Sequence, residues 1–223
     1  MLDKSLIAED FLREFDSSQL NESWSMDLRH VLVIYDLLKT GFFHSALEVG
    51  CYNGGSTTAF LHALYLSNEL EITLCDDNFQ EHLHSRISEH KKRSQITTVE
   101  KDSRQFLIDA INNGGAFDFV LLDGSHVCHV NYLEMMLLTV LDIRTIAIHD
   151  VSSDSSDNYS RNYLFDGTRK LLERYQSSPK WMIVIDDLKR ENEMTHRGLA
   201  LITRDRQVHD LAKLSFGKYC GNC

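Results

Sequence analysis

The chain has 223 residues, 43% of them hydrophobic, and a formal net charge of −10. Such a length and apolar content suit one α/β domain with a sizeable core. The acidic balance argues against nucleic acid and anionic membrane as partners, because phosphate surfaces are bound chiefly through Lys and Arg. No stretch approaches the ~20 apolar residues of a membrane span, so no membrane partner is expected. Met1-Leu2-Asp3-Lys4 is no signal peptide, and the expected address is the cytoplasm. The cysteines are Cys51, Cys75, Cys128, Cys220 and Cys223, an odd number. Three of them lie in or beside apolar segments, which favours reduced thiols over a disulfide framework.

In chain order, Leu2, Leu6, Ile7, Phe11, Leu12 and Phe15 carry helical spacing over residues 1–15. Asp16 to Ser25 is a polar connector that contains Trp24. A second helix is predicted from Met26 to Lys39, with Leu28, Val31, Leu32, Tyr35 and Leu38 on one face and Gly41 as its stop. Residues 1–40 are thus expected to form a helical cap, 41–204 the main domain and 205–223 a tail. Whether the cap is a lid over a site or a layer packed on the sheet stays open at this level.

The informative stretch is Ala46 to Leu61, ALEVGCYNGGSTTAFL. Ala46-Leu47-Glu48-Val49 reads as a short buried strand. Gly50, Gly54 and Gly55 follow, and Ser56-Thr57-Thr58 opens an apolar helical segment. Glycines let a backbone approach a ligand, and a helix start offers unpaired N–H donors, so strand, turn and helix make a place for a nucleotide-like molecule. Glu48 stands at the strand end, where a carboxylate can meet an ammonium group or ribose hydroxyls.

Four further strands end in polar residues. Glu71 to Cys75 leads into Asp76-Asp77, at the position where ribose hydroxyls are usually bound in a doubly wound sheet. Glu81 to Arg93 reads as a solvated crossover helix, since His82, His84 and His90 show no metal-ligand spacing. Ile96 to Val99 leads into Glu100-Lys101-Asp102-Ser103 and a helix. Phe117 to Leu122 is continuously apolar, hence a central strand, and delivers Asp123-Gly124-Ser125-His126. Thr145 to Ile148 delivers His149-Asp150. A serine- and aspartate-rich loop follows, in which Asp157 and Asn158 are further polar candidates, and then a helix over Gly167 to Tyr175. Trp181 to Ile185 and Leu199 to Thr203 are predicted as an antiparallel pair at the sheet edge. Cys220 and Cys223 form a lone CxxC, half a zinc site at best.

This order of motifs resembles the class I S-adenosylmethionine-dependent methyltransferases. More narrowly, it is similar to the small-molecule O-methyltransferases with DGxH and HD strand-end motifs. The likeness spans about residues 26–204. It implies a Rossmann-like α/β fold, doubly wound on a mostly parallel seven-stranded sheet with an antiparallel edge strand and N-terminal helices. It also implies that Glu48, Gly50, Gly54 and Ser56 hold the methionine part of the cofactor, Asp76 the ribose, and Asp102 with Ser103 the adenine. Asp123 would touch the cofactor and, with His126 and His149, the reacting groups. Departures from the family pattern are Tyr52 in place of a common glycine, Cys128 in place of a tyrosine, and Asp142-Ile143-Arg144-Thr145 in place of a glycine pair.

Methyl transfer requires an aligned nucleophile and a proton acceptor, because the cofactor itself brings the leaving group. Asp123 and Asp150, at neighbouring strand ends, are expected to hold one Mg²⁺-type divalent ion that lowers the pKa of a bound hydroxyl. His126 or His149 would then act as base; in a metal-free version His126 takes the proton and Asp150 orients it. The expected partner is a small hydroxylated substrate, and a homodimer through the N-terminal helices or edge strands is compatible with the pattern. A nicotinamide enzyme is disfavoured, because GCYNGG lacks the glycine two residues after Gly50. A non-catalytic module binding the cofactor or a partner in the same cleft is the alternative.

Overall fold

The computed structural model describes residues 7–18, 26–125, 128–151, 172–186 and 198–221. Trp24, His126, Asp157, Asn158 and Cys223 lie outside them, as does the side chain of Cys128. The elements in order are α1 (Glu9–Ser18), α2 (Leu28–Leu38), β1 (Ser45–Val49), α3 (Thr57–Leu66), β2 (Glu71–Asp76), α4 (Glu81–Glu89), β3 (Ile96–Glu100), α5 (Ser103–Asn112), β4 (Phe119–Leu122), α6 (Cys128–Val140) and β5 (Thr145–His149). A helical turn, α7, covers 172–176. Then come β6 (Met182–Asp186), β7 (Leu199–Thr203) and α8 (Arg206–Cys220).

All seven strands form one sheet in the order β3-β2-β1-β4-β5-β7-β6. The first five are mutually parallel; β7 runs antiparallel to both β5 and β6. The reversed strand is therefore one place in from the edge, with β6 outside it. Strand order reverses between β1 and β4, which opens a crevice at their carboxyl ends, the usual binding place in such sheets. β4 shows why the centre is buried on both faces. Phe119 and Leu121 belong to the core shared with α1 to α4 and α8, while Val120 and Leu122 belong to the core under α5, α6 and α7.

The N-terminal helices are a packed layer. α2 lies against α3 and α8, and Val31, Val33, Ile34, Leu37 and Leu38 are fully buried there. Tyr35 stacks on Phe11 with ring centroids 5.2 Å apart, and Trp181 packs between Tyr175 and Arg204, so these aromatics serve packing.

Residues 205–223, expected as a tail, are largely helix instead. Asp205 caps α8 by accepting from the N–H groups of Gln207 and Val208, and Val208, Ala212, Ser215, Phe216 and Cys220 face the core. Their near-i,i+4 spacing is hidden in sequence by Lys213, Gly217 and Lys218, and α2, β6 and β7 supply the partner surface. Crossover helix α4 is shorter than its polar run suggested, ending at Glu89 before a 3₁₀ turn at Arg93–Gln95. Only Leu83 and Ile87 anchor it to the core.

Candidate functional site

The turn after β1 determines the shape of the site. Gly50 has φ +85°, and a Cβ there would lie 2.3 Å from the Asp123 carbonyl oxygen, so β1 and β4 meet this closely only with glycine. Gly54 also has positive φ, +80°. Between them Tyr52 takes φ +43°, in the left-handed region that L side chains seldom adopt. The common glycine that is missing at Tyr52 is thus missed for a conformational reason. Asp76, at the end of β2, holds the turn: its Oδ2 accepts from the N–H of Cys51 at 2.6 Å and of Tyr52 at 2.9 Å. Oδ1 accepts from Asn78 N–H at 2.9 Å. Those bonds give Asp76 a structural task at the same place where a ribose was expected.

Glu48 is fully buried at the end of β1. Its Oε1 accepts from the Ser56 hydroxyl at the start of α3. Oε2 is buried with no hydrogen-bond partner among the described residues. Burial outweighs the Ser56 bond and pushes the carboxyl up to about 8. Nearby, burial pushes the Cys51 thiol well above its ordinary range and Cys75 to about 12, so neither is a thiolate nucleophile.

At the ends of β4 and β5, His149 Nδ1 lies 2.8 Å from Asp123 Oδ1 and 3.5 Å from Asp150 Oδ1. Burial opposes the charge on His149, yet Asp123 and Asp150 together outweigh it and raise the imidazole to about 9. The two carboxylates thus favour the protonated ring. These three side chains bring ligand-type atoms within 4.8 Å of one another, a donor set of oxygen and nitrogen suited to a divalent cation. Behind them the His30 ring meets that of His149 edge-on at 5.7 Å. His30 and Arg29 both contact Asp186 Oδ2, at 3.0 and 3.3 Å. That second buried group converges on the Asp186 carboxylate; burial would raise it, but chiefly the His30 bond holds it down to about 2.

A cavity of about 650 Å³ opens above the turn. Gly50, Ser56, Asp76, Asp102, Ser103 and Asp123 all lie on its wall. The structure thus gathers most of the expected residues from five segments into one hollow. Glu48, Gly54, His149 and Asp150 are buried and not on the wall, and His149 pairs with the wall residue Asp123. Asp102 caps α5, bonding the N–H groups of Arg104 and Gln105, and Ser103 donates to the buried Glu134 of α6. Met26, Tyr52, Lys101 and Val130 also line the cavity and were not anticipated. Of these only Tyr52 left a trace in sequence, as a departure from glycine. Glu134 left another, as a single acid within the apolar run of α6.

Residues 47–151 match the family model described as a methyltransferase domain. Comparison with curated proteins finds no match. Among solved structures, the O-methyltransferase TomG from Streptomyces achromogenes, involved in tomaymycin synthesis and solved with SAM, superposes with TM-score 0.64 at 15% identity, over 90% of this chain and 92% of that one. An O-methyltransferase from Bacillus cereus in complex with SAH gives 0.65 at 16% identity, over 91% of each chain. MycE, from the mycinamycin biosynthetic pathway, in complex with Mg and SAH, gives 0.54 at 15% identity, over 88% of this chain and 55% of that one. At such identities these likenesses speak to the fold.

Proposed function

We propose, from the premise that this chain is a class I S-adenosylmethionine-dependent methyltransferase, that it O-methylates a small hydroxylated acceptor. The observation that carries the proposal is the convergence of Asp76 and Asp123 on one cavity, with the buried Glu48 one residue before Val49 on its wall. The hollow is of a size that takes a nucleoside-sized ligand. The partnerless Oε2 of Glu48 suits the ammonium of an amino acid, because an unpaired buried carboxylate oxygen gains most from a charged donor. Asp76 suits ribose hydroxyls, and the pairing of Asp102 and Ser103 at the start of α5 suits the adenine end. When bound, S-adenosylmethionine supplies an electrophilic methyl group on a sulfonium.

The protein's own task is to align the acceptor oxygen and take up its proton. Asp123 is the cavity-facing member of the Asp123–His149 pair, so its carboxylate holds the acceptor hydroxyl while His149 stabilises its charge. In this role His149 is an orienting cation, since a ring titrating near 9 is a poor base at neutral pH. His126, three residues after Asp123, is the assigned base. Asp123, His149 and Asp150 are the residues that would hold a divalent metal, because their ligand-type atoms lie within 4.8 Å of one another. To serve as a ligand there His149 would have to be neutral, so affinity for such an ion should rise with pH.

Isotopic methyl transfer from S-adenosylmethionine to a panel of phenols, sugars and amines tests the proposal. Label should pass to hydroxyl acceptors, and Asp123→Ala should lose turnover at least ~100-fold, as for loss of a group acting on the reacting atoms. Transfer to amines alone would refute O-methylation. Turnover undiminished in EDTA would remove the metal.

A further inference from the structure

We infer that His82 and Arg86 of α4 are positioning residues that set the turn 50–55 for its ligand, an inference that rests on reading this turn as the S-adenosylmethionine site. The polar crossover α4, read in sequence as a solvated face, lays two side chains against the turn. His82 Nε2 donates to the carbonyl of Asn53 at 2.8 Å. A carbonyl accepts only, so the ring carries its proton on Nε2. Arg86 Nη1 reaches the carbonyl of the next residue, Gly54, at 3.4 Å, while Nη2 donates to Thr58 Oγ1 at 3.0 Å. Positions 82 and 86 are one helical turn apart and project from one face. Leu83, between them, sits so close that a Cβ on Gly54 would lie 3.0 Å from its Cδ1 and from Arg86 Nη1. Gly54 therefore lets α4 seat against the turn.

The consequence follows from peptide geometry. In a trans peptide the C=O and the following N–H point in opposite directions. Drawing the Asn53 carbonyl outward to His82 directs the Gly54 N–H inward, where it closes the turn on the Cys51 carbonyl at 2.7 Å. Drawing the Gly54 carbonyl toward Arg86 directs the Gly55 N–H the other way, and Gly55 is on the cavity wall whereas Arg86 is not. Thr58 adds to the same hold, bonding the Gly54 carbonyl through both N–H and hydroxyl, at 3.1 and 3.0 Å. The guanidinium is itself fixed by Glu14 of α1, whose Oε2 lies 3.2 Å from Nη2. Asp76 thus grips the N–H groups of Cys51 and Tyr52 from β2, and α4 grips the carbonyls of the next two residues from outside. Neither α4 side chain touches the ligand's place; both act through the backbone that does.

Calorimetric titration with S-adenosylmethionine, alongside thermal unfolding and steady-state kinetics, tests this in wild type, His82→Leu, His82→Gln and Arg86→Gln. His82 is exposed, so its variants fold even if Arg86→Gln does not. Loss of one bond of this kind should weaken binding about threefold in His82→Leu and about tenfold in Arg86→Gln. KM should rise in parallel while kcat stays within about twofold, since ground-state binding is what changes. His82→Gln, whose amide N–H can replace the lost donor, should bind as wild type does. Wild-type affinity in His82→Leu, or equal loss in the leucine and glutamine variants, overturns the inference while leaving the cofactor reading intact. A wild-type chain that gives no heat with S-adenosylmethionine overturns the cofactor reading, and this inference with it.

Discussion

Gly50 is the residue at which local backbone and site geometry are least separable. With φ +85° and the Asp123 carbonyl 2.3 Å from where a Cβ would stand, Gly50→Ala must push β1 and β4 apart at their carboxyl ends. We expect a loss of at least ~2 kcal/mol in urea denaturation, with a wider cavity that binds no cofactor. Glu48 makes the second prediction. Its carboxyl rises from 4.5 to about 8 in the folded protein, so the folded state holds a proton that the unfolded state releases. Stability of the ligand-free protein is then fully present below pH 4.5 and falls as pH rises through about 8. Glu48→Gln should flatten that slope in thermal scans from pH 5 to 8, and should weaken S-adenosylmethionine binding by about tenfold or more through loss of the charged partner.

Among the elements, α8 packs on α2, β6 and β7. Its cap is a carboxylate, with Asp205 Oδ1 2.8 Å from Gln207 N and 3.3 Å from Val208 N. Asp205→Ala should lower stability by about 1 kcal/mol in chemical denaturation, with kcat unchanged. The ends of β4 and β5 behave differently, because their side chains are charged and buried together. His149 is raised from 6.5 to about 9, so its pairing with Asp123 and Asp150 contributes stability fully below pH 6.5 and loses it through about 9. His149→Gln should remove this second, more alkaline fall, leaving the one due to Glu48. Comparing thermal midpoints of the two variants across pH 5–10 separates the windows.

For the whole molecule, the decisive feature is that one crevice collects groups from β1, β2, β4 and the starts of α3 and α5. Ligand in that crevice binds the folded chain alone, so S-adenosylmethionine at 100 times its Kd should stabilise by about 2.7 kcal/mol. Asp76→Ala should lose most of that thermal shift at the same concentration, because it removes both the proposed ribose partner and the grip on Cys51 and Tyr52 N–H. A shift that survives in Asp76→Ala would place the nucleoside elsewhere.

How much of this was legible in the letters differs from one part to another. Strands β1 to β5 stood out as short apolar runs ending in acids or glycines, because a strand covered on both faces must be apolar throughout and a strand end in a crevice can be polar. The motif order then carried the fold, and with it Gly50, Asp76 and Asp123. Periodicity said less of α8, whose apolar positions are diluted by lysines and glycine and become a face against α2, β6 and β7. It gave Met26 no place on the cavity wall, where the structure puts it. The roles of His149, His82 and Arg86 belong to tertiary structure alone. A pKa depends on which carboxylates lie within a few ångströms and how dry the place is, and a hydrogen bond from α4 to the turn joins residues some thirty positions apart. Sequence determined which strands end in polar residues; the packed structure decided how buried those groups are, which of them meet and what holds the turn, because burial and distance have no one-dimensional signature.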